Sequence, residues 1–468
     1  MSHEFDYMSA MEMRRRIAAK EISPVEVTRR ALDKAEATQS TINAFYRLMP
    51  EQALAAARVA EDAVLKSAPL GALHGIPFSA KDLMAVKGVR YASGSRTMES
   101  NIAAVDAPAV ERAKAAGAIL IGKTTTSEFG CKPVGDSPLT GITRNPWNLD
   151  KTPGGSSAGA AASVAAGITP FSLGTDGGGS IRIPAAFTGL AGIKGQFGRV
   201  PVWPTSATPT LAHVGPLARS VQDAALLFSV IAGLDRRDPF SIAGPVPDVL
   251  GSALASVTDL RIAYSPTLGY ARPDPEVIKL TDMAASTFRD LGCAVDLVEN
   301  VFDTDPADLW TAEFYAGVGI RLRSFMENQR ELLDPAVADV LEPALSQDMR
   351  DYYTKVFARY ALRDKINTFF ERYDILISPV IPVTSLNAGQ NIPDGLEDRN
   401  LVSWVFYTYP FNLTGQPAAS VCAGIAPDGM PVGLQIVGRS YCEDDVVRAA
   451  AALERSHPAG YNVRQFGA

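Results

Sequence analysis

Three short stretches of this sequence hold residues that can do chemistry together. Lys81 ends an apolar run, GIPFSA (75–80). A Gly-Gly-Ser-Ser loop (154–157) opens a stretch of very small residues, SSAGAAASVAAG (156–167). Ser180 follows three glycines, Gly177, Gly178 and Gly179, and precedes a helix-like IPAAFTGLAG (183–192). Each alone has an ordinary explanation: a solvated lysine, a glycine turn, a helix-capping serine. Together they solve a problem, because a serine hydroxyl is a poor nucleophile without a base. No histidine lies near Ser180 in sequence. Lysine can be the base only when neutral, and at an ordinary pKa of about 10.4 roughly one in 2,500 is neutral at pH 7. Burial or a nearby positive potential lowers that value. A depression of about three units corresponds to roughly 4 kcal/mol of disfavoured charge. The glycines before Ser180 let backbone N–H groups converge where side chains would obstruct them. Such donors form an oxyanion hole, and a following helix adds its positive end.

Two other patterns compete. GAILIGKT (117–124) fits G-x-x-x-x-G-K-[ST], but a phosphate loop needs flexible residues between a strand and a helix. Ala-Ile-Leu-Ile instead prefers a buried strand. GSSAG (155–159) fits the nucleophile elbow G-x-S-x-G with Ser157 central and His213 or His457 as base. That elbow requires a strand running straight into it, and RNPWNLDKTPG (144–154) reads as a loop broken by two prolines.

The elements that must position these residues alternate. Residues 8–66 read as helices, with Ser23-Pro24-Val25-Glu26 as a capping box and proline at the first helical position. AVERAKAAG (109–117) reads as a helix ending in glycine, AILIGK (118–123) as a buried strand and TPFSLG (169–174) as a strand. SVQDAALLFSVIAG (220–233) is an apolar helix, LRIAYSP (260–266) a strand, and Asp274-Pro275 opens a helix ending near Gly292, before a strand in CAVDLVE (293–299). A long aromatic-bearing helical stretch covers 307–372. Strand character returns in DILISPVIP (374–382), AASVCAGI (418–425) and PVGLQIVG (431–438), and a helix closes at 443–455. This alternation indicates a layered α/β fold. No internal repeat or sharp boundary divides it, so one domain over 1–468 is expected, with a helical excursion around 300–372.

Composition narrows the function. With 468 residues, 47 % hydrophobic and 20 % charged, the chain can bury a large core. A net charge of −7 without a basic run argues against nucleic acid or an anionic membrane as partner. Cys131, Cys293, Cys422 and Cys442 are scattered without a C-x-x-C pair, and the four histidines are dispersed. A metal cluster and a disulfide framework are therefore not expected, and a reducing compartment is. No signal peptide or apolar run of about 18 residues is visible. The expectation is a soluble cytoplasmic protein.

GIPFSAKDLM, GAILIGKTTTSEFG, TRNPWNLDKTPGGSSAGAAASVAAG, LGTDGGGSIRIPAAFTGLAGIKG and HVGPLARSVQDAA, in this order over about 70–235, resemble the amidase signature family of serine hydrolases. Similarity is weaker at 374–455. The resemblance implies an α/β/α sandwich around a large mixed sheet, no metal and no cofactor. It implies Ser180 as nucleophile, Ser156 after a cis Gly155–Ser156 bond as proton relay, and Lys81 as general base. It places the oxyanion donors at the N–H groups of Gly177, Gly178, Gly179 and Ser180. Asp176 and Arg182 would brace the loop, and Ser157 would bond to the triad. Gly130, with Cys131 and the stretch to Pro133, would line the substrate site. Many relatives carry a larger residue at 177; Gly177 is expected either to loosen the oxyanion hole or to enlarge the acyl site. Trp310, Phe314, Tyr315 and Tyr352 are candidate pocket aromatics. The implied reaction is amide hydrolysis on a small molecule, preferably a mid-sized, partly apolar or aryl amide, with esters or carbamates also in range. The alternative is the glutaminase subunit of a multi-subunit amidotransferase. A homodimer is left open.

Overall fold

The computed structural model describes residues 5–456. Its strands are β1 (Phe45–Leu48), β2 (Pro77–Lys81), β3 (Ile119–Thr124), β4 (Asp136–Ser137), β5 (Gly141–Ile142), β6 (Phe171–Asp176), β7 (Ala191–Lys194), β8 (His213–Ala218), β9 (Arg261–Tyr264), β10 (Ala294–Leu297), β11 (Ile375–Pro379), β12 (Ala418–Ile425) and β13 (Pro431–Gly438). Strands β4 and β5 form a small hairpin, and the other eleven form one sheet in the order β1-β3-β2-β6-β8-β7-β12-β13-β11-β9-β10. The sheet is mixed: β2 runs parallel to β3 and β6, whereas β8 is antiparallel to β6 and β7.

Side chains alternate across a strand with period two, so a sheet covered on both faces sends neighbouring residues into different cores. On β3, Leu120 joins the core under helices Ala10–Ala18 and Val221–Ile231, while Ile119 and Ile121 join helices Pro24–Ile42 and Pro50–Leu65. On β11, Ile375 and Ile377 face the first core; Leu376 faces one built around Trp310, Phe314 and Trp404. The result is an α/β/α sandwich.

Most of the expected elements form. Ser23 caps Pro24–Ile42 with the full capping box. Strands β12 and β13 occupy AASVCAGI and PVGLQIVG. The helical excursion comprises helices Ala307–Asn328, Pro335–Leu345 and Met349–Arg372. Two expectations are corrected. Residues 8–66 are not wholly helical, because Phe45–Leu48 pairs with β3 at the sheet edge. The helix expected over 183–192 spans Arg182–Thr188, stops at left-handed Gly189 (φ 67°) and yields to β7. HVGPLA (213–218), to which the sequence assigned no element, forms the strand β8.

Candidate active site

Lys81 is the last residue of β2, a strand buried along its whole length. Its Nζ lies 2.7 Å from Ser156 Oγ, 3.0 Å from Ser157 Oγ and 2.8 Å from Thr175 Oγ1. Burial drives the lysine pKa well below its ordinary value; only the Asp176 charge pulls the other way. A neutral amine has two N–H donors and one lone pair. Three hydroxyl neighbours therefore match it, with no carboxylate in contact. Ser157 supplies an acceptor, since its own hydroxyl donates to the Thr175 carbonyl at 3.2 Å while Oγ accepts the Thr175 N–H at 3.3 Å. That leaves Ser157 Oγ making no capping bond to the helix Ala158–Ala165 that it precedes. Thr175, one residue before the expected Asp176, is a partner of Lys81 that sequence reasoning missed; its place on β6, beside β2, was the available signal.

The Gly155–Ser156 peptide is cis. Ser156 lines a cavity of about 330 Å³ that Ser180, Gly177, Thr175 and Gly130 also line. An adjoining pocket of about 20 Å³ shares Gly130 and Ser180 and reaches Gly178, Trp310 and Pro133.

The glycine loop is held by its carbonyls. Gly177 accepts from Trp310 Nε1 at 2.7 Å, Gly178 from Thr408 Oγ1 at 2.6 Å, and Gly179 from the Ile183 N–H at 2.7 Å. In a trans peptide the N–H points opposite its C=O, so pinning these carbonyls aims the N–H groups of Gly178, Gly179 and Ser180. Gly179 N–H is taken by Asp176 Oδ1 at 2.7 Å. The N–H groups of Gly177, Gly178 and Ser180 have no protein acceptor among the described residues. Of the four expected donors, these three are free for a ligand. Gly179 has φ +135°, and a Cβ there would collide with Thr408.

Behind the loop, buried Asp176 accepts from Arg182 Nε and Nη2 at 3.0 and 2.9 Å. Burial alone would raise its pKa, but the Arg182 guanidinium beside it holds the carboxyl well below the usual range. Arg182 continues to the Thr408 carbonyl, Gln435 Oε1 and Asn412 Oδ1, so the loop is tied to β13 and to the segment before β12.

The cavity wall is largely apolar, with Met84, Met98, Phe129, Phe314, Leu322 and Phe325 among its residues. Of the four candidate aromatics, Phe314 lines it and Trp310 lines the adjoining pocket. Tyr315 packs edge-on against both rings instead, and Tyr352 packs on Tyr353 away from the cavity. Cys131 is fully buried and lines neither space; Gly130 lines both. At Gly177 a Cβ would meet Phe314 Cε2 at 2.8 Å, so the Phe314 ring occupies the space a larger residue would take.

The competing patterns do not form sites. The GAILIGKT lysine, Lys123, lies buried 3.0 Å from Asp82 Oδ1 on strand β3. Ser157 follows a loop and bonds to Lys81 and Thr175. His213 Nδ1 lies 2.8 Å from the Leu211 carbonyl, and burial followed by the Lys194 charge keeps it neutral. His457 falls outside the described residues.

Comparison with known proteins identifies the family. Residues 26–447 match the family model described as Amidase. The chain is 34 % identical to an acylamidase of Rhodococcus erythropolis over 97 % of this chain and 96 % of that protein. It is 36 % identical to a glutamyl-tRNA(Gln) amidotransferase subunit of Geobacter metallireducens, over 95 % and 96 % of the two chains. Among solved structures, a bacterial aryl acylamidase of the amidase signature family superposes with a TM-score of 0.92 at 29 % identity, covering 99 % of each chain. With the fold, the buried lysine beside two serines and the match along nearly the whole chain in agreement, this protein belongs to the amidase signature family and is an amidase.

Proposed function

We propose that the chain, acting as one catalytic domain, hydrolyses linear carboxamides through an acyl-enzyme on Ser180. The observation that carries this reading is the buried Lys81 amine 2.7 Å from Ser156 Oγ, with its charged form disfavoured by burial. Neutral Lys81 accepts the Ser156 proton while Ser156 accepts that of Ser180, and Ser180 Oγ bonds to the amide carbon. The oxyanion is received by the N–H groups of Gly177, Gly178 and Ser180. As the C–N bond breaks, the leaving amine takes a proton from Ser156, which Lys81 replaces. Water then attacks the acyl carbon and gives its proton to the same pair, which passes a proton to Ser180 Oγ as the acyl C–O bond breaks and the acid leaves. This is triad logic with lysine as base.

The cavity supports a mid-sized substrate with an apolar or aryl body. Arg321 is the sole lysine or arginine among its lining residues. Free glutamine, charged at both its amine and its carboxylate, finds few matching groups there. The similarity to glutamyl-tRNA(Gln) amidotransferase subunits keeps the glutaminase-subunit reading as the second one. Sparse, unpaired cysteines support a cytoplasmic setting. Among the described residues no helix is long and apolar enough to cross a membrane.

Assaying the purified chain on aryl amides, alkyl amides, esters, carbamates and glutamine tests the proposal. Turnover of apolar amides by the chain alone is expected. Glutamine hydrolysis that appears only with a partner protein, without turnover of apolar amides, would overturn it in favour of the second reading.

A further inference from the structure

The helix Met349–Arg372 carries apolar side chains on two sides. Its inner side places Ile366 and Phe370 in the core beside the cavity wall. Its outer side exposes Met349 (76 %), Tyr353 (51 %), Phe357 (68 %) and Tyr360 (63 %). At 100° per residue these four fall within about 80° of one another, a single stripe. Aromatic side chains carry about 150–250 Å² each, so at these exposures the stripe presents on the order of 500 Å², within the roughly 300–600 Å² of a typical protein's largest apolar patch, which is often functional.

Charge identifies what covers it. Arg350 and Asp364 lie at the two ends of the same stripe, each seven residues from Phe357, and both are exposed. They are about 21 Å apart along the axis. If an identical helix is laid antiparallel with Phe357 at the centre, Arg350 of each copy meets Asp364 of the other, twice by symmetry. A two-fold interface requires this self-complementarity. Mixed signs on the stripe do not suit an anionic lipid surface, which calls for lysine and arginine throughout the polar face.

We infer that this outer face is an isologous interface with a second copy of the chain, centred on Phe357 and fixed in register by reciprocal Arg350–Asp364 pairs. The interface braces the site. Arg359 of the same helix bonds to Glu313 at 2.5 Å, one residue from Phe314. The stripe is smaller than the roughly 800 Å² per partner of a standard interface, so association is concentration-dependent.

Sedimentation velocity of the full chain over a wide concentration range tests the inference. The native protein is expected to shift toward the dimer mass as concentration rises, and Phe357→Glu to remain a monomer with an unchanged circular dichroism spectrum. Arg350→Glu and Asp364→Arg should each weaken association, and the two together should restore it. A native chain that stays monomeric at the highest attainable concentration overturns the inference, as does a Phe357→Glu dimer or a double swap that fails to regain the loss. None of these outcomes depends on which amide is cleaved.

Discussion

Phe314 stands where a side chain at position 177 would have to be, and Gly177 is the residue that lets it. The Phe314 ring stacks on Trp310 at 4.3 Å between centroids, and Trp310 in turn lies against Gly178. Two aromatic rings thus occupy volume that larger residues would take in the loop. Gly177→Ala should lower kcat/KM, because either Phe314 or the loop must move. In a Phe314→Ala background the same substitution should cost less. A double-mutant cycle on kcat/KM measures the coupling, expected at about 0.5–3 kcal/mol for residues in contact.

Trp310 also holds the Gly177 carbonyl through its indole N–H. Trp310→Phe keeps an apolar ring and removes that donor. A hydrogen bond is worth about 0.5–1.5 kcal/mol net, so kcat should fall roughly two- to tenfold with KM little changed. A change confined to KM would show that the bond does not position the loop for the transition state.

The lowered Lys81 pKa sets the sign of two pH effects. The neutral amine is the active base, so kcat/KM should rise with pH through the folded-state value and reach its plateau below the ordinary lysine range. In the unfolded chain the same lysine keeps its proton until about pH 10.4. Between those two values the unfolded state binds more protons, and the Lys81 contribution to stability rises with pH. Native protein minus Lys81→Met, compared by urea unfolding at about pH 7 and about pH 10, should therefore grow more favourable to the native chain at the higher pH.

Arg182→Met leaves Asp176 buried without its cation. Removing one partner of a buried pair costs about 3–5 kcal/mol. The depressed Asp176 pKa contributes stability that is present above the unfolded carboxylate value of about 3.9 and is lost as pH falls toward the folded value. The deficit of the variant should thus be largest at neutral pH and shrink in acid, as chemical denaturation at both pH values would show.

What could be read from sequence was local. Lys81 at the end of an apolar run, the GGSS loop and the GGGS loop are contiguous strings whose residue types state their chemistry, and the structure sets Lys81 against Ser156 and opens Ser156 and Ser180 onto one cavity. Strands β12 and β13 were legible because each is a mostly apolar run, broken by one polar residue and bounded by turn residues. Phe45–Leu48 was not: FYRL is too short to show a period and follows a long helical pattern. The grip of Trp310 and Thr408 on the glycine loop joins positions 133 and 230 residues apart in the chain. No local pattern encodes such a contact, and tertiary packing alone creates it. For the same reason Tyr352, Tyr315 and Phe314 looked alike in sequence, although only Phe314 of these three lines the cavity.

The most direct test is to trap the nucleophile with a phosphonyl fluoride and locate the adduct by peptide mass mapping. The account predicts one adduct on Ser180, none in Ser180→Ala, and much slower trapping in Lys81→Ala with its fold intact. An adduct on another residue, or turnover that survives Ser180→Ala, would contradict it.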